Sequence, residues 1–301
     1  MILLNKWHTV QLDYVLAFPQ APINRELYMR VPVGMAVPQG KREDYILQLK
    51  RNVYRQKLAA RVWNQYLVKK HTSPVIGFIQ SKYDECVFHK KNMVYILYTD
   101  DSIIAASDKQ AIHDTIQQIK RSSLEITIEG DIRDFLDINI TRQDDQYYLT
   151  QPQLIQSILY DLQLTNEKVN TKEIPMALSR ILHRHSKSPK FDGNFNCRSI
   201  IGRLNYLEKA SRPGLSYAVH QCCRFSADPK LEHGAAVKWI GRYLTDTAEK
   251  GTYMKPDKSK GLEVHNDTNF MGHWDPHDME NKDTAKSRHG YCITYAGCPT
   301  C

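Results

Sequence analysis

Apolar residues recur with two rhythms along this chain. Between residues 8 and 18, Val10, Leu12 and Tyr14 alternate with polar neighbours before the turn-prone PQAP segment, the period of a half-buried strand. YILQL at 45–49 predicts a second short strand. The period then changes: Ala59, Val62, Trp63, Tyr66 and Leu67 share one face of a helix. MVYILY, the turn TDDS and the returning IIAA predict a hairpin over 93–106. Ser107 or Asp108 can cap the next helix, which turns Ile112, Ile116 and Ile119 inward. A short strand pair is expected from LEITIEG to FLDINITRQDDQYYLTQ. Helical spacing then dominates to residue 245, through QLIQSILYDLQL, SIIGRLNYLEKAS, LSYAVHQCCRFS and HGAAVKWIGRYLT. The stretch 164–196, rich in Ser, Lys, Asn and Pro, reads as an exposed linker. After residue 250, LEVHNDTNF and HGYCITYAG are strand-like, with a polar loop of the HWDPHDMENKDTAKS type between them. No internal repeat interrupts this order, and the class it predicts is α+β.

Composition narrows the picture. At 301 residues the chain has room for two or three small domains, each with a core. Hydrophobic residues at 42% and charged ones at 25% exclude disorder. The net charge of +8 favours a polyanionic partner, though mild basicity alone is weak support. The charge is concentrated: Lys41–Lys70 holds nine Lys/Arg against two acids. Such a run is ordinarily a solvated helix face; beside a phosphate-handling centre it becomes a contact for nucleic-acid backbones. Seven cysteines without regular spacing, and no signal peptide, read as reduced thiols of an intracellular protein. No apolar run approaches the roughly 18 residues of a membrane span.

The chemistry gathers at the 93–106 hairpin. Asp100 and Asp101 lie side by side in its turn, and Asp13 ends a strand. Aspartate is a common turn residue, so turn-making alone is one reading. The other is a cation site, because adjacent carboxylates near a third repel until a divalent ion compensates them. Magnesium takes oxygen ligands and keeps substrate phosphates in its shell, and paired ions serve phosphoryl transfer.

QLDYVLAFPQAPINRELYMRVPVG, RNVYRQKLAARVW, ILYTDDSII, FLDINI, LTQPQLI, RSIIGRLNYLEKASRP, SYAVHQCCRFSADP and KWIGRYL together resemble, in order, the reverse transcriptase of copia-type retrotransposons. The resemblance runs from about residue 8 to residue 298. It implies a polymerase palm, a ferredoxin-like antiparallel sheet with helices, over 8–150. A helical thumb or connection region over 151–250 and a partial RNase H-like hairpin over 251–301 would follow. The implied activity is RNA-directed DNA synthesis by two-metal nucleotidyl transfer. Its partners would be an RNA or DNA template-primer and deoxynucleoside triphosphates, and its setting a polyprotein of a cytoplasmic particle. Asp13, Asp100 and Asp101 become the catalytic carboxylates that hold two Mg²⁺ or Mn²⁺ ions. Phe18 matches the bulky residue beneath the sugar that excludes a ribose 2′-hydroxyl; read without the family it is a core Phe. Arg61 matches the basic residue closing the family's LKQAPR box, on the nucleotide or template side.

The departures from the family are equally specific. YGLKQAPR reads YRQKLAAR, so Arg55 replaces a Gly and Leu58 replaces the Gln that contacts the incoming nucleotide. Such a Gly serves a positive φ or a close approach, both of which Arg resists, and Leu58 cannot replace the amide's hydrogen bonds. The FLG box reads FLD, placing Asp137 where a primer phosphate would be repelled. TRPD reads SRPG, with Gly214 in the Asp position. The family's fingers segment has no counterpart before residue 8. At the far end EVHNDTNF resembles the first RNase H strand, with Asp267 leading and Asn269 in place of an acid, so no RNase H activity is expected. The terminal CPTC, with Cys292 and His289, has zinc-like spacing, but the family carries a similar metal-free GCP turn. His8, His220 and His233 read as ordinary core or surface histidines. Three classes of function therefore stand: a polymerase; a lapsed, non-catalytic remnant that binds nucleic acid; and another metal-dependent phosphoryl-transfer enzyme such as a nuclease, against which the ordered boxes argue.

Overall fold

The computed structural model describes residues 1–165, 169–177, 182–183, 188–269 and 287–300. The chain divides into two compact units, Met1–Ile132 and Arg133–Cys301.

The first unit is built on a six-stranded sheet. Its spatial order is Ile79–Gln80, Val87–Lys90, Met93–Tyr98, Asp101–Ala106, His8–Tyr14, Ile126–Gly130, with every neighbouring pair antiparallel. The earliest strand thus lies between two later ones. Alternation along it sends Leu12 and Tyr14 to the face that also carries Tyr95, Leu97 and Ile104. Helices Ala59–His71 and Lys109–Arg121 add Trp63, Leu67, Ile112, Ile116 and Ile119 to the same core. The second helix starts as its sequence suggests, with the Asp108 carboxylate accepting from the Gln110 and Ala111 amides at 3.0 and 3.3 Å. A separate ribbon pairs Tyr28–Arg30 with Ile46–Gln48.

In the second unit, helices Pro152–Asp161, Cys197–Ala210, Ser216–Cys223 and Leu231–Thr245 enclose a core that includes Ile155, Ile158, Leu204, Leu207, Val237 and Ile240. A four-stranded antiparallel sheet runs in the order Thr252–Met254, Gln146–Thr150, Ile138–Gln143, Asp134–Phe135. Leu262–Asn269 pairs with Arg288–Tyr295, and Cys298–Pro299 pairs with the latter.

The mixed helix-and-sheet class follows from the pattern, but four local expectations change. The 8–18 run stops being a strand at Tyr14, because Leu16 turns to φ 48° and Ala17–Gln20 forms a helical turn that carries Phe18. LEITIEG does not pair with the strands that follow it; Ile126–Gly130 joins His8–Tyr14 instead. Residues 133–150 hydrogen-bond within the second unit rather than the first. In the 164–196 stretch, Leu164 and Leu182 are buried in the second unit's core, so its described parts are not simply an exposed linker. Most of the polar loop between the last two long strands, and Cys301, lie outside the described residues.

Candidate active site

The hairpin turn holds only two residues, Thr99 and Asp100, between the paired Tyr98 and Asp101. Thr99 sits at φ 57°, a conformation that β-branched residues rarely adopt. Across the ladder Asp13 is opposite Asp101. Directly opposed residues of an antiparallel pair project from the same face, so these two carboxylates share one side of the sheet. The Tyr14 amide donates to the Asp100 carbonyl at 2.9 Å, tying the turn to the end of the first strand. Asp13, Asp100 and Asp101 are all half-buried.

Electrostatics links Asp13 to the turn residue Asp100 as well. Burial raises the Asp13 carboxyl above its ordinary range, and the Asp100 charge raises it further. Tyr54 reports the same field: burial raises its phenol, as do the charges of Asp100 and Asp13, while a backbone hydrogen bond from Ala17 opposes them. The Tyr54 ring lies 4.7 Å from Phe18, centroid to centroid. Two side-chain amides fix this arrangement. Gln20 donates to the carbonyls of Val15 and Glu125 at 2.7 and 2.8 Å, and Asn52 donates to Ala21 at 3.1 Å. Phe18 and Tyr54 therefore form an aromatic wall beside the carboxylates. Sequence reasoning missed Tyr54; the only signal was an aromatic residue inside the YRQKLAAR box.

On the opposite face of the sheet, the residue after each strand carboxylate enters a buried polar network. The Tyr14 hydroxyl lies 2.8 Å from His71 Nε2 and 2.7 Å from the Tyr95 hydroxyl, and Ser102 donates to the Leu12 carbonyl at 3.2 Å. Burial, with Lys90 nearby, pushes His71 down to about 3, so it is neutral.

The remaining sites predicted from sequence are less gathered. Arg61 is exposed on the Ala59–His71 helix and forms no hydrogen bond or ion pair with the carboxylates among the described residues. Leu58 is the N-cap of that helix and provides no capping side chain. Arg55 sits at φ 67° and Asp137 at φ 58°, the left-handed region that glycine occupies without cost. Gly214 has no neighbour within 4 Å of an added Cβ and no positive φ, so nothing in the structure explains its exchange with Asp. Among the described residues no three His, Cys, Asp or Glu side chains close as a preformed metal group, at the carboxylates or near Cys292 and His289. What is present is a pair of hard oxygen donors in mutual repulsion with a third on the same face. That chemistry fits Mg²⁺ or Mn²⁺.

Residues 2–178 match the family described as reverse transcriptase (RNA-dependent DNA polymerase). The chain belongs to the reverse transcriptase family. It is 30% identical to the retrovirus-related Pol polyprotein from transposon RE1 of Arabidopsis thaliana over 97% of this chain and 19% of that protein. It is 27% identical to the Pol polyprotein from transposon TNT 1-94 of Nicotiana tabacum, over 95% and 21%. A putative transposon Ty5-1 protein of Saccharomyces cerevisiae is 24% identical over 96% of this chain and 90% of its own length. This reverse transcriptase domain is thus of the copia-type Pol kind and spans about a fifth of the two Pol polyproteins. Among its described residues no helix is long and apolar enough to cross a membrane.

Proposed function

We propose that this domain extends a DNA primer along an RNA or DNA template, with Asp13, Asp100 and Asp101 as its catalytic carboxylates. The observation that carries this reading is the register that sets Asp13 against Asp101 while Asp100 lies within electrostatic reach of Asp13. In the reaction, the primer 3′-oxygen bonds to the α-phosphorus of a deoxynucleoside triphosphate. The bridge to the β-phosphate breaks, pyrophosphate leaves and the hydroxyl proton is released. Two Mg²⁺ or Mn²⁺ ions held by the three aspartates would supply the positive charge that acidifies the hydroxyl and offsets the triphosphate. Phe18, backed by Tyr54, excludes a 2′-hydroxyl by bulk. Arg61 offers its guanidinium to nucleotide or template phosphate, and Leu58 borders the nucleotide without an amide to hold it. In this reading residues 8–150 act as the palm, with 133–150 built into the second unit's four-stranded sheet, 151–250 as the thumb or connection, and 251–301 as the start of an RNase H-like fold.

Primer extension on poly(rA)–oligo(dT) with Mg²⁺ or Mn²⁺ tests the proposal. Incorporation abolished by Asp100→Asn supports it; incorporation indifferent to that change refutes it. A second reading, a non-catalytic remnant that binds nucleic acid through the Lys41–Lys70 surface, is favoured by Arg55 and Asp137, which hold left-handed positions where the family has Gly. It expects no extension from folded protein, together with template-primer binding that weakens steeply with salt.

A further inference from the structure

Asp100 is flanked by two peptide groups, and both are held. The downstream carbonyl, its own, accepts from the Tyr14 amide at 2.9 Å. The upstream carbonyl, that of Thr99, accepts from the Trp63 indole Nε1–H at 2.6 Å. Trp63 is 1% exposed, and its ring stands edge-on to Tyr14, with centroids 5.2 Å apart and planes at 76°. One side chain of the Ala59–His71 helix therefore touches both segments that carry the carboxylates. It reaches the hairpin turn through a hydrogen bond and the first strand through Tyr14.

Thr99 gives this contact its purpose. A β-branched residue at φ 57° holds that conformation only when its surroundings over-determine it. The indole bond fixes the peptide plane between Thr99 and Asp100 and so supplies part of that determination. Core packing alone needs only the ring.

We propose that Trp63 is a positioning residue, whose indole N–H holds the strained Thr99–Asp100 turn so that Asp100 stays set against Asp13. This rests on the reading of these aspartates as a metal site, and the test separates the two. Trp63→Phe keeps an aromatic ring against Tyr14 and removes the donor. Thr99→Gly removes the strain that the donor offsets. Mn²⁺ affinity, followed by the EPR signal of the free ion, is measured for wild type, each variant and the double variant. The loss expected for Trp63→Phe is about fivefold, the scale of one net hydrogen bond. In the Thr99→Gly background the same change is expected to cost less than about twofold. Equal losses in both backgrounds, or none in either, overturn the proposal, because a packing defect would not depend on residue 99.

Metal-free hydrogen exchange gives a second readout. Exchange across residues 96–103 is expected to accelerate in Trp63→Phe, and the same change is expected to accelerate it less in the Thr99→Gly background; no acceleration, or equal acceleration in both backgrounds, overturns the proposal. Asp100→Asn is the control on the metal reading. If wild type shows no Mn²⁺ binding that this change removes, the metal assignment fails, and hydrogen exchange alone decides for or against Trp63.

Discussion

Replacing Arg55 by glycine is expected to stabilise the first unit, although the change removes a long side chain and adds none. Arg55 is exposed, and its backbone sits at φ 67° in the loop that carries Tyr54. Holding a non-glycine L-residue in the left-handed region costs roughly 1–2 kcal/mol. Glycine escapes that cost but gives back roughly 0.5–1 kcal/mol through its greater freedom in the unfolded chain. The net gain is about 0.5–1 kcal/mol, or ~2–4 °C in melting temperature for a unit of this size. Asp137→Gly is the internal comparison. Leu136 and Asp137, at φ 54° and 58°, fill a two-residue hairpin loop between Phe135 and Ile138. Aspartate tolerates that conformation better than arginine does, so its gain should be under ~0.5 kcal/mol. Urea unfolding followed by Trp63 fluorescence, with the other three tryptophans changed to Phe, reads the first unit and so Arg55→Gly; Trp239 fluorescence, with the other three changed, reads the second unit and so Asp137→Gly. A destabilised or unchanged Arg55→Gly protein would refute the view that backbone conformation is what this position selects.

Other expectations concern charge and capping. His71 is neutral in the fold and titrates near 6.5 once unfolded, so the unfolded chain binds the extra proton between that value and about 3. Stability is therefore fully retained above pH 6.5 and lost as pH falls through that window, by up to about 1.4 kcal/mol per unit. Urea titrations of His71→Gln from pH 7 to 4.5 should show a flatter profile. Asp13 has the opposite sign: its raised carboxyl weakens the metal-free fold as pH rises above the ordinary carboxylate value. Asp100→Asn should consequently stabilise the protein in EDTA at neutral pH, by about 0.5 kcal/mol or less at this half-exposed site, and should abolish any further gain from added Mg²⁺. Asp108→Ala removes two amide contacts at a helix start and should cost ~1 kcal/mol by thermal melting.

The hairpin, its turn and the two amphipathic helices were legible because each is a local pattern: alternation, a polar pair between apolar runs, and Ile112, Ile116 and Ile119 at helical spacing. The placement of Ile126–Gly130 beside His8–Tyr14 was not, since alternation states that a strand has a buried face but not which strand it pairs with. The end of the first strand was hidden for a different reason. Nothing marks Leu16 as left-handed, and leucine there runs against preference. At the site, Asp100 and Asp101 could be proposed from the YTDD turn and Asp13 from the resemblance of QLDYV, but Tyr54 and the second role of Trp63 could not. Trp63 has the spacing of an ordinary core residue, and only the position of the Thr99 carbonyl in space gives its N–H a particular task.

The order of the six-stranded sheet has a consequence for how the molecule is made. Of the strands of this sheet His8–Tyr14 is synthesised before the others, yet both of its neighbours, Asp101–Ala106 and Ile126–Gly130, come much later. Until Asp101–Ala106 emerges the Asp13 strand has no partner, and until Ile126–Gly130 follows, its other side presents an open edge that can recruit other chains. Closing so long a loop before any contact rewards it makes this pairing slow. The aspartates can meet only after nearly the whole first unit has emerged, so a nascent chain arrested before residue 126 is a species prone to association, without a finished sheet.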